Sequence, residues 1–280
     1  MSLPEEKLKN EFPDATKAEC RRFARACHDG KKRPDAVMEE AKKLLGDYLE
    51  WRKCYGLDDN KADISDGVTG DWKMAIKKAL GGSNANVDLN EASRDTNDMD
   101  ARESHLLQFV FVHKSKDGVT MKDKNGRMVL HVLPAMMDSH AVKAEVVGHC
   151  VGIYLDQVFD RNSEEKVTVL LDARAGEGWP NPKIVTLASY IQTLSHIVQV
   201  NHPDRFHTFL IVPVPLFAIG VWTVVKRFLR PDIRDTFCLM KGPSGMDSPL
   251  PTKQLEEHVD GDVIESMELF RKLKFKPTNR

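Results

Sequence analysis

The sequence has almost no net charge and few cysteines. Its 41 basic and 42 acidic residues leave a formal charge of -1, so no basic field covers the chain and nucleic acid is not an expected partner. The five cysteines are odd in number, widely separated and without Cys-x-x-Cys spacing. This pattern argues against a disulfide framework and against a thiolate zinc site. We therefore expect a cytoplasmic protein with no structural metal.

Targeting and catalytic motifs are also missing. Residues 1–14 lack the apolar core of a secretory signal, so we expect no export. The sequence contains no P-loop, no dinucleotide-binding glycine pattern, no nucleophile elbow and no zinc-protease helix. Asp172 and His149, beside Cys150, could be combined into a site, but ten histidines make such pairs common by chance. We interpret Asp172 as a strand-end cap and His149 as an ordinary helix residue, and expect neither catalysis nor a cofactor.

The first sixty residues predict two helices. Asp14 is the expected N-cap of a segment that runs to Cys27, and Pro34 opens the second helix. The second helix carries one apolar stripe at steps of four and three residues, formed by Val37, Ala41, Leu44, Tyr48 and Trp51. A helix pair with so little apolar surface is not stable alone. We expect residues 1–60 to form an N-terminal helical domain that docks on the rest of the chain.

Residues 61–104 have a different composition. They are rich in asparagine, aspartate, glycine and serine and have few large apolar side chains. Such a segment does not bury enough apolar surface to fold by itself. We interpret it as a variable, partly disordered acidic linker, with one short amphipathic helix over Trp72, Ile76 and Leu80.

Residues 105–280 alternate strands and helices, which is typical of an α/β domain. The predicted strands cover 106–112, 128–133, 167–171 and 209–212, and the predicted helices cover 141–159 and 184–198. Turn signals at Asp117-Gly118 and Asn125-Gly126 separate the first two strands. A further amphipathic helix is expected over 263–275.

One stretch, residues 209–225, contains no charged side chain. Pro213 and Pro215 divide it, and each half is shorter than the roughly 20 helical residues that cross a bilayer. We therefore predict a strand, a proline turn and a helix over 216–229 with Lys226, Arg227 and Arg230 at its cationic end. This helix is apolar all round, which fits either a central core helix or a lid over an apolar cavity.

Several motifs in this region and upstream occur in the order that is known from CRAL-TRIO domains. They are Arg22-Phe23-Ala24-Arg25-Ala26, Leu49-Glu50-Trp51-Arg52, Asp123-Lys124-Asn125-Gly126-Arg127, His202-Pro203-Asp204-Arg205 and Phe228-Leu229-Arg230-Pro231. Each motif is short, but their shared order is specific. The sequence thus resembles the CRAL-TRIO lipid-binding family over most of its length apart from the acidic linker.

The resemblance implies an α/β fold with an N-terminal helical bundle, followed by a mostly parallel sheet flanked by helices. The sheet would floor a hydrophobic pocket closed by the apolar gate helix. Candidates for lipid contact in the pocket are Val169, Leu171, Leu194, Phe209, Ile211, Phe217, Val221 and Val224. Candidates for the gate and for membrane contact are Trp222, Val225, Lys226, Arg227, Phe228 and Arg230, with Lys241 as a further cation.

The positions that hold the headgroup in the phosphatidylinositol-binding branch are only partly kept. The acidic residue of the branch corresponds to Asp204, and Arg25 lies in the matching arginine motif, so both are headgroup candidates. A threonine and a lysine of the branch correspond to Ile233 and Thr236. The resemblance therefore does not specify phosphatidylinositol as the ligand.

The expected function is binding of a phospholipid in an internal pocket and its transfer between membranes. The implied partners are the lipid and, transiently, a membrane surface, and we expect a monomer. The alternative is a lipid-sensing or protein-interaction module in signalling or membrane traffic that does not transfer lipid.

Overall fold

The computed structural model describes residues 4–28, 33–54, 57–58, 109–115, 117–136, 144–176, 184–227 and 234–274. These residues divide into two compact units. The first unit contains the N-terminal helices together with residues 144–165 and 193–205. The second contains the remaining described residues from 109 onward. The predicted linker, residues 61–104, lies outside the described residues, and the predicted domain boundaries stay a prediction.

Three helices begin the first unit: α1 (Pro4–Glu11), α2 (Lys17–Cys27) and α3 (Pro34–Cys54). Helix α1 was not predicted, and its single buried apolar residue is Leu8. The prediction that Asp14 caps α2 is wrong. Thr16 is the N-cap, since its side chain accepts from the Glu19 N–H while the Glu19 carboxylate accepts from the Thr16 N–H. This reciprocal pair is a capping box, and it fixes the first residue of the helix.

The first unit also contains α4 (Ala144–Val158) and residues 193–201 of α5 (Ile184–Asn201). Two glycines of α4 allow these helices to approach closely. A methyl group on Gly148 would lie 2.6 Å from a side-chain carbon of Ile197, and one on Gly152 would lie 2.9 Å from the same residue. Helix α4 covers most of the predicted helix 141–159, and α5 covers the whole of the predicted helix 184–198. Both predicted helices are therefore confirmed.

Polar contacts join the N-terminal helices to the residues after α4. The Thr16 hydroxyl donates to the Arg161 carbonyl at 2.8 Å, and Arg22 donates to the Ser163 carbonyl at 2.6 Å. Arg161 in turn donates to the buried Glu19 carboxylate at 2.7 Å. The prediction that the helix pair docks on the rest of the chain is confirmed by these contacts.

A five-stranded sheet forms the second unit, in the order β1-β2-β3-β4-β5. The strands are β1 (Val110–Val112), β2 (Val129–Val132), β3 (Val167–Asp172), β4 (Phe206–Val214) and β5 (Phe237–Lys241). Among the strands that the structure describes, only the β1 and β2 pair is antiparallel. The predicted mostly parallel sheet is confirmed, but β5 was not predicted.

Other elements among the described residues of the second unit are a 3-10 turn (Pro134–Met136), α6 (Leu216–Val225), α7 (Thr252–Leu255) and α8 (Gly261–Lys274). The first part of α5, residues 184–192, also belongs to this unit. The apolar helix after Pro215 and the C-terminal helix are confirmed. The described part of the apolar helix ends at Val225, where the Lys226 N–H donates to the Trp222 carbonyl.

One face of the sheet packs on the C-terminal helices and forms the core of the unit. Leu170, Leu210 and Met240, on three adjacent strands, are almost completely buried there. Their partners from the C-terminal segment are Leu255, Val259, Val263, Ile264 and Met267. This face holds the second unit together through burial of apolar area.

The hairpin between β1 and β2 has the two predicted turns. Gly118 and Gly126 have φ of 77° and 78°, which glycine adopts without strain. The Asp123 carboxylate accepts from the N–H groups of Asn125 and Arg127 and from the Thr168 hydroxyl at 2.7 Å. These bonds keep the pKa of Asp123 below its ordinary value although its burial acts in the opposite direction.

Candidate functional site

The second face of the sheet carries an apolar surface that the C-terminal helices do not cover. Parallel register places Val169 beside Phe209 and Phe237, and Leu171 beside Ile211 and Leu239. Register partners project to the same side of a sheet, and these residues alternate with those of the core face. We call this set of six residues on β3, β4 and β5 the apolar face. Five of the six are only half-buried, whereas Val169 is buried.

Aromatic rings line one end of the apolar face. The rings of Phe209 and Phe237 stack with centroids 4.4 Å apart, and Phe206 lies 5.4 Å from Phe209. The Trp222 ring of α6 lies 4.7 Å from Phe237. Helix α6 therefore approaches the sheet at the beginning of β5. Flat, half-buried rings of this kind offer a large apolar contact area to a ligand.

Helix α6 begins directly after the proline turn and exposes part of its apolar surface. Leu216 is 77% exposed and Val224 is 49% exposed. Gly220 and Arg227 are exposed on the same side, at helical steps from these two residues. Lys226 is half-buried at the C-cap. One side of the helix thus faces solvent while Trp222 packs on the sheet.

The remaining predicted contact residues lie on α6, on α5, at the end of β5 or outside the described residues. Phe217, Val221 and Val225 lie on the backbone of α6, and their side chains are not among those described. Phe228 and Arg230 lie outside the described residues. Leu194 is half-buried on α5 in the first unit, while the other described candidates for the pocket belong to the second. Lys241 is exposed at the end of β5.

The two headgroup candidates are in direct contact within the first unit. Nε of Arg25 donates to the Asp204 carboxylate at 2.7 Å, and Nη1 donates to the Glu164 carboxylate at 2.6 Å. Burial lowers the pKa of Arg25, but the bonds to Glu164 and Asp204 outweigh it and raise that pKa. Asp204 has a φ of 58°, which is unusual for a residue other than glycine. Arg25 and Asp204 were each predicted as headgroup candidates, whereas Glu164 was not predicted.

Asp172, the end of β3, belongs to a buried ion cluster. Its carboxylate accepts from the Arg174 side chain at 2.8 Å and from the Arg174 backbone N–H at 3.0 Å, as a strand-end cap does. Arg271 of α8 lies 3.5 Å from the same carboxylate. The cap was predicted, but the two arginines were not. The side chain of His149 is not among those described.

No group of three possible metal ligands exists within the described ranges. In the same residues, no helix has the length and apolar character needed to cross a membrane.

Two of the six residues of the apolar face, and the neighbouring Phe206, were not predicted from the sequence. Phe237 and Leu239 belong to β5, which was not predicted, and Phe206 precedes the predicted start of β4. The signal was present, because Phe237 and Leu239 alternate with Cys238 and Met240 at the period of a strand. A five-residue alternation is too short to separate a strand from a loop.

A mostly parallel sheet flanked by helices, with one half-buried apolar face next to an apolar helix, defines the chain as an α/β protein. Residues 113–265, more than half of the chain, match the family described as CRAL/TRIO domain. The chain therefore belongs to the CRAL/TRIO domain family. Proteins of this family bind and transfer lipids and are generally not enzymes.

Comparison with solved structures gives similarity to the crystal structure of Sfh5. The two chains are 14% identical, with a TM-score of 0.45. The similarity covers 80% of this chain and 65% of that chain, so this chain spans less than two thirds of the length of Sfh5. Comparison with curated protein sequences finds no match.

Proposed function

We propose that this chain binds a phospholipid with its acyl chains against the apolar face and carries it between membranes. The observation that supports this proposal is the apolar face itself. Six apolar side chains on three adjacent strands lie in register, and five of them are only half-buried. On the opposite, core face of the same sheet, by contrast, Leu170, Leu210 and Met240 are almost completely buried.

The energetics of a lipid favour such a surface. Each methylene that leaves water contributes about 0.8 kcal/mol, so roughly thirty methylenes amount to more than 20 kcal/mol. A lipid in transit between membranes must therefore be enclosed. The half-buried rings of Phe209 and Phe237 provide contact area of this kind next to Leu171 and Ile211.

In this proposal α6 is the gate that opens at the membrane surface. Val224 was expected in the pocket and Trp222 at the membrane, but we propose the reverse roles. The exposed Leu216 and Val224 would contact the bilayer, and Trp222 would line the closed pocket because it packs on Phe237. Lys226 and Arg227 at the end of the helix would add about 1 kcal/mol each in attraction to anionic lipids.

Arg25 and Asp204 are proposed as headgroup contacts. Both side chains belong to an ion cluster with Glu164, so a headgroup hydroxyl or amine could join the cluster without leaving a charge unpaired. We propose that the protein acts as a monomer in the cytoplasm with transient membrane contact.

Mass spectrometry of lipid extracted from the purified protein tests the binding step. We expect about one phospholipid per chain in the wild type. Ile211→Asp places a charge on the apolar face and should lower the lipid content at least tenfold, because an unpaired charge in an apolar site is strongly unfavourable. Val119→Asp makes the same change at a position that is 65% exposed and should load normally. An empty wild-type protein would overturn the proposal.

Transfer of fluorescent phosphatidylcholine between vesicles tests the carrier step. We expect transfer by the wild type that Ile211→Asp lacks. Lipid that is bound but never transferred would instead support the sensing or interaction module.

The gate assignment is tested with Lys226→Glu combined with Arg227→Glu, which should reduce transfer to anionic acceptor vesicles but leave lipid content unchanged. Transfer to anionic vesicles that is insensitive to salt would contradict the role of these cations.

A further inference from the structure

Two neighbouring histidines are buried on the core face of the sheet in the second unit. His131 of β2 alternates in step with Val129, which belongs to the core cluster, and His113 directly follows β1. The exposed fractions of His131 and His113 are 0% and 1%, and their ring centroids lie 5.1 Å apart. Neither ring nitrogen of His131 has a hydrogen-bond partner within the described residues. We call His113 and His131 the histidine pair.

Helix α8 covers the histidine pair near both of its ends. The Phe270 ring, in the last turns of the helix, lies 6.0 Å from the His131 ring and 4.4 Å from that of Phe111. Phe111 is the register partner of His131 on β1. In the first turn of the helix, the charge of Asp262 acts on His113. The two imidazoles are therefore enclosed between the sheet and α8.

Charged groups from β3 and α8 surround the histidine pair. The cations are Arg174 after β3 and Arg271 of α8, and the carboxylates are Asp172 of β3 and Asp262 and Glu268 of α8. Both arginines oppose protonation of His131. Asp172 already accepts from both guanidiniums, and Glu268 accepts from Arg174. Asp262 favours protonation of His113 but is exposed to solvent, where its charge is screened.

Protonation of the histidine pair would add positive charge to a site whose carboxylates are already engaged. Burial is the main factor that lowers the pKa of both histidines, to about 4 for His113. An imidazole that is exposed to water binds a proton below about pH 6.5. An opened form of the site therefore binds protons that the closed form does not bind. A fall in pH below 6.5 consequently favours opening.

Helix α8 is the element that can move without breaking the sheet. Backbone hydrogen bonds join β1, β2 and β3, whereas side chains such as Phe270 and Arg271 hold α8 to them. The chain just before α8 is fixed, since the Lys124 N–H donates to the His258 carbonyl at 3.0 Å. Gly261, the first residue of the helix, is exposed, and a methyl group there would have no neighbour within 4 Å. The helix can therefore swing outward from this point.

We propose that α8 is an acid-released strap, which protonation of His113 and His131 detaches from the sheet while β3 and β4 stay paired. The release exposes Val263, Ile264 and Met267, which are buried when α8 is in place. The protein gains this apolar surface at acidic pH and loses it again at neutral pH. The inference does not rest on the proposed lipid, because the histidine pair lies on the core face and not on the apolar face.

Hydrogen exchange of the full chain, followed by mass spectrometry without added lipid, tests the release. Rates measured between pH 7.5 and 4.5 are corrected for the intrinsic effect of pH on amide exchange. Each linked proton contributes up to about tenfold per pH unit to the opening equilibrium. We expect α8 to open at least about tenfold more at pH 4.5 than at pH 6.5, with β3 and β4 still protected and with full recovery at pH 7.5. Simultaneous loss of protection in β4, or loss that does not reverse, overturns the strap.

Substitutions of the histidine pair test the cause of the release. His131→Phe and His113→Phe each remove one protonation site and keep an aromatic ring in the core. Each should reduce the acid-induced opening of α8 about tenfold, whereas His196→Gln, at an exposed position, should open as the wild type does. Circular dichroism at pH 7.5 checks the folding of each variant, so either histidine can be tested without the other. Wild-type opening in both folded variants overturns the role of the histidine pair.

The exposed apolar surface has a separate measurement. The fluorescence of anilinonaphthalene sulfonate should rise in the wild type over the same pH range in which α8 loses protection, because this dye binds exposed apolar surface. The rise should be smaller in His131→Phe and should reverse at pH 7.5. Opening of α8 without any change in dye fluorescence overturns the predicted apolar surface.

Discussion

At the scale of single residues, two buried histidines lie in the second unit. His131 on β2 is fully buried, and its ring nitrogens have no hydrogen-bond partner within the described residues. Burial is the main factor that lowers its pKa far below the ordinary value, and the neighbouring His113, Arg174 and Arg271 lower it further. Burial also lowers the pKa of His113 to about 4. Both rings are therefore neutral in the folded protein at pH 7.

These histidines should make stability depend on pH. The unfolded chain protonates them below about pH 6.5, whereas the folded chain does not, so the free energy of unfolding falls as the pH falls through this range. The limiting slope is about 1.4 kcal/mol per pH unit for each histidine. In urea unfolding followed by circular dichroism, His131→Phe should lose less stability than the wild type between pH 6.5 and 4.5. His196→Gln, an exposed change, should keep the wild-type slope, and an equal slope in His131→Phe would contradict this account.

A buried ion pair should contribute to the stability of the first unit. Arg52 of α3 pairs with Asp156 of α4, and Tyr48 lies against both. Arg52 and Asp156 are almost fully buried, so removal of the arginine leaves a carboxylate without its partner. We expect Arg52→Met to lower the free energy of unfolding by about 3–5 kcal/mol. Lys53→Met changes the exposed neighbour and should shift the urea midpoint little; similar midpoints for both variants would show that the pair contributes nothing.

At the scale of elements, the sequence predicted those with long periodic patterns. The stripe of α3 and the apolar runs of β3 and β4 appear where they were expected, because each pattern extends over several residues. Helix α1 and strand β5 were missed, since one buried leucine or a five-residue alternation gives too weak a signal. Asp14 and Thr16 both have side chains that suit an N-cap. Helix α2 begins after Thr16 because Thr16 forms a capping box with Glu19.

Helix α8 is held to the sheet by a charged contact as well as by its apolar side. The buried guanidinium of Arg271 donates to the carbonyls of Arg174, Ala175 and Met246 and contacts Asp172. Arg271→Met should lower stability by about 2–4 kcal/mol and should increase amide exchange in α8. The exposed Lys272→Met serves as the control in hydrogen exchange followed by mass spectrometry. Unchanged protection of α8 in Arg271→Met would show that apolar packing alone holds the helix.

At the scale of the whole molecule, the order of motifs predicted the family but not which segments of the chain make up each unit. The first unit combines the N-terminal helices with residues 144–165 and 193–205, which lie far away in the sequence. Its contacts, such as Arg52 with Asp156 and Arg161 with Glu19, join positions more than a hundred residues apart. A short sequence pattern cannot predict such pairs, because each charged residue taken alone is expected to be exposed.

A bound lipid should raise the thermal stability of the whole chain. If a lipid fills the space beside the apolar face, it binds the folded chain only and stabilises it by about 2.7 kcal/mol at a hundredfold excess over Kd. Wild-type protein stripped of lipid should therefore melt several degrees lower than loaded protein and recover when it is reloaded from phosphatidylcholine vesicles. Val119→Asp should respond as the wild type does, and Ile211→Asp should melt at one temperature in both states. A ligand enclosed against Phe209 and Ile211 cannot leave without exposing these side chains to water, which costs free energy. Equal melting temperatures of loaded and stripped wild type would therefore contradict binding of the lipid at the apolar face.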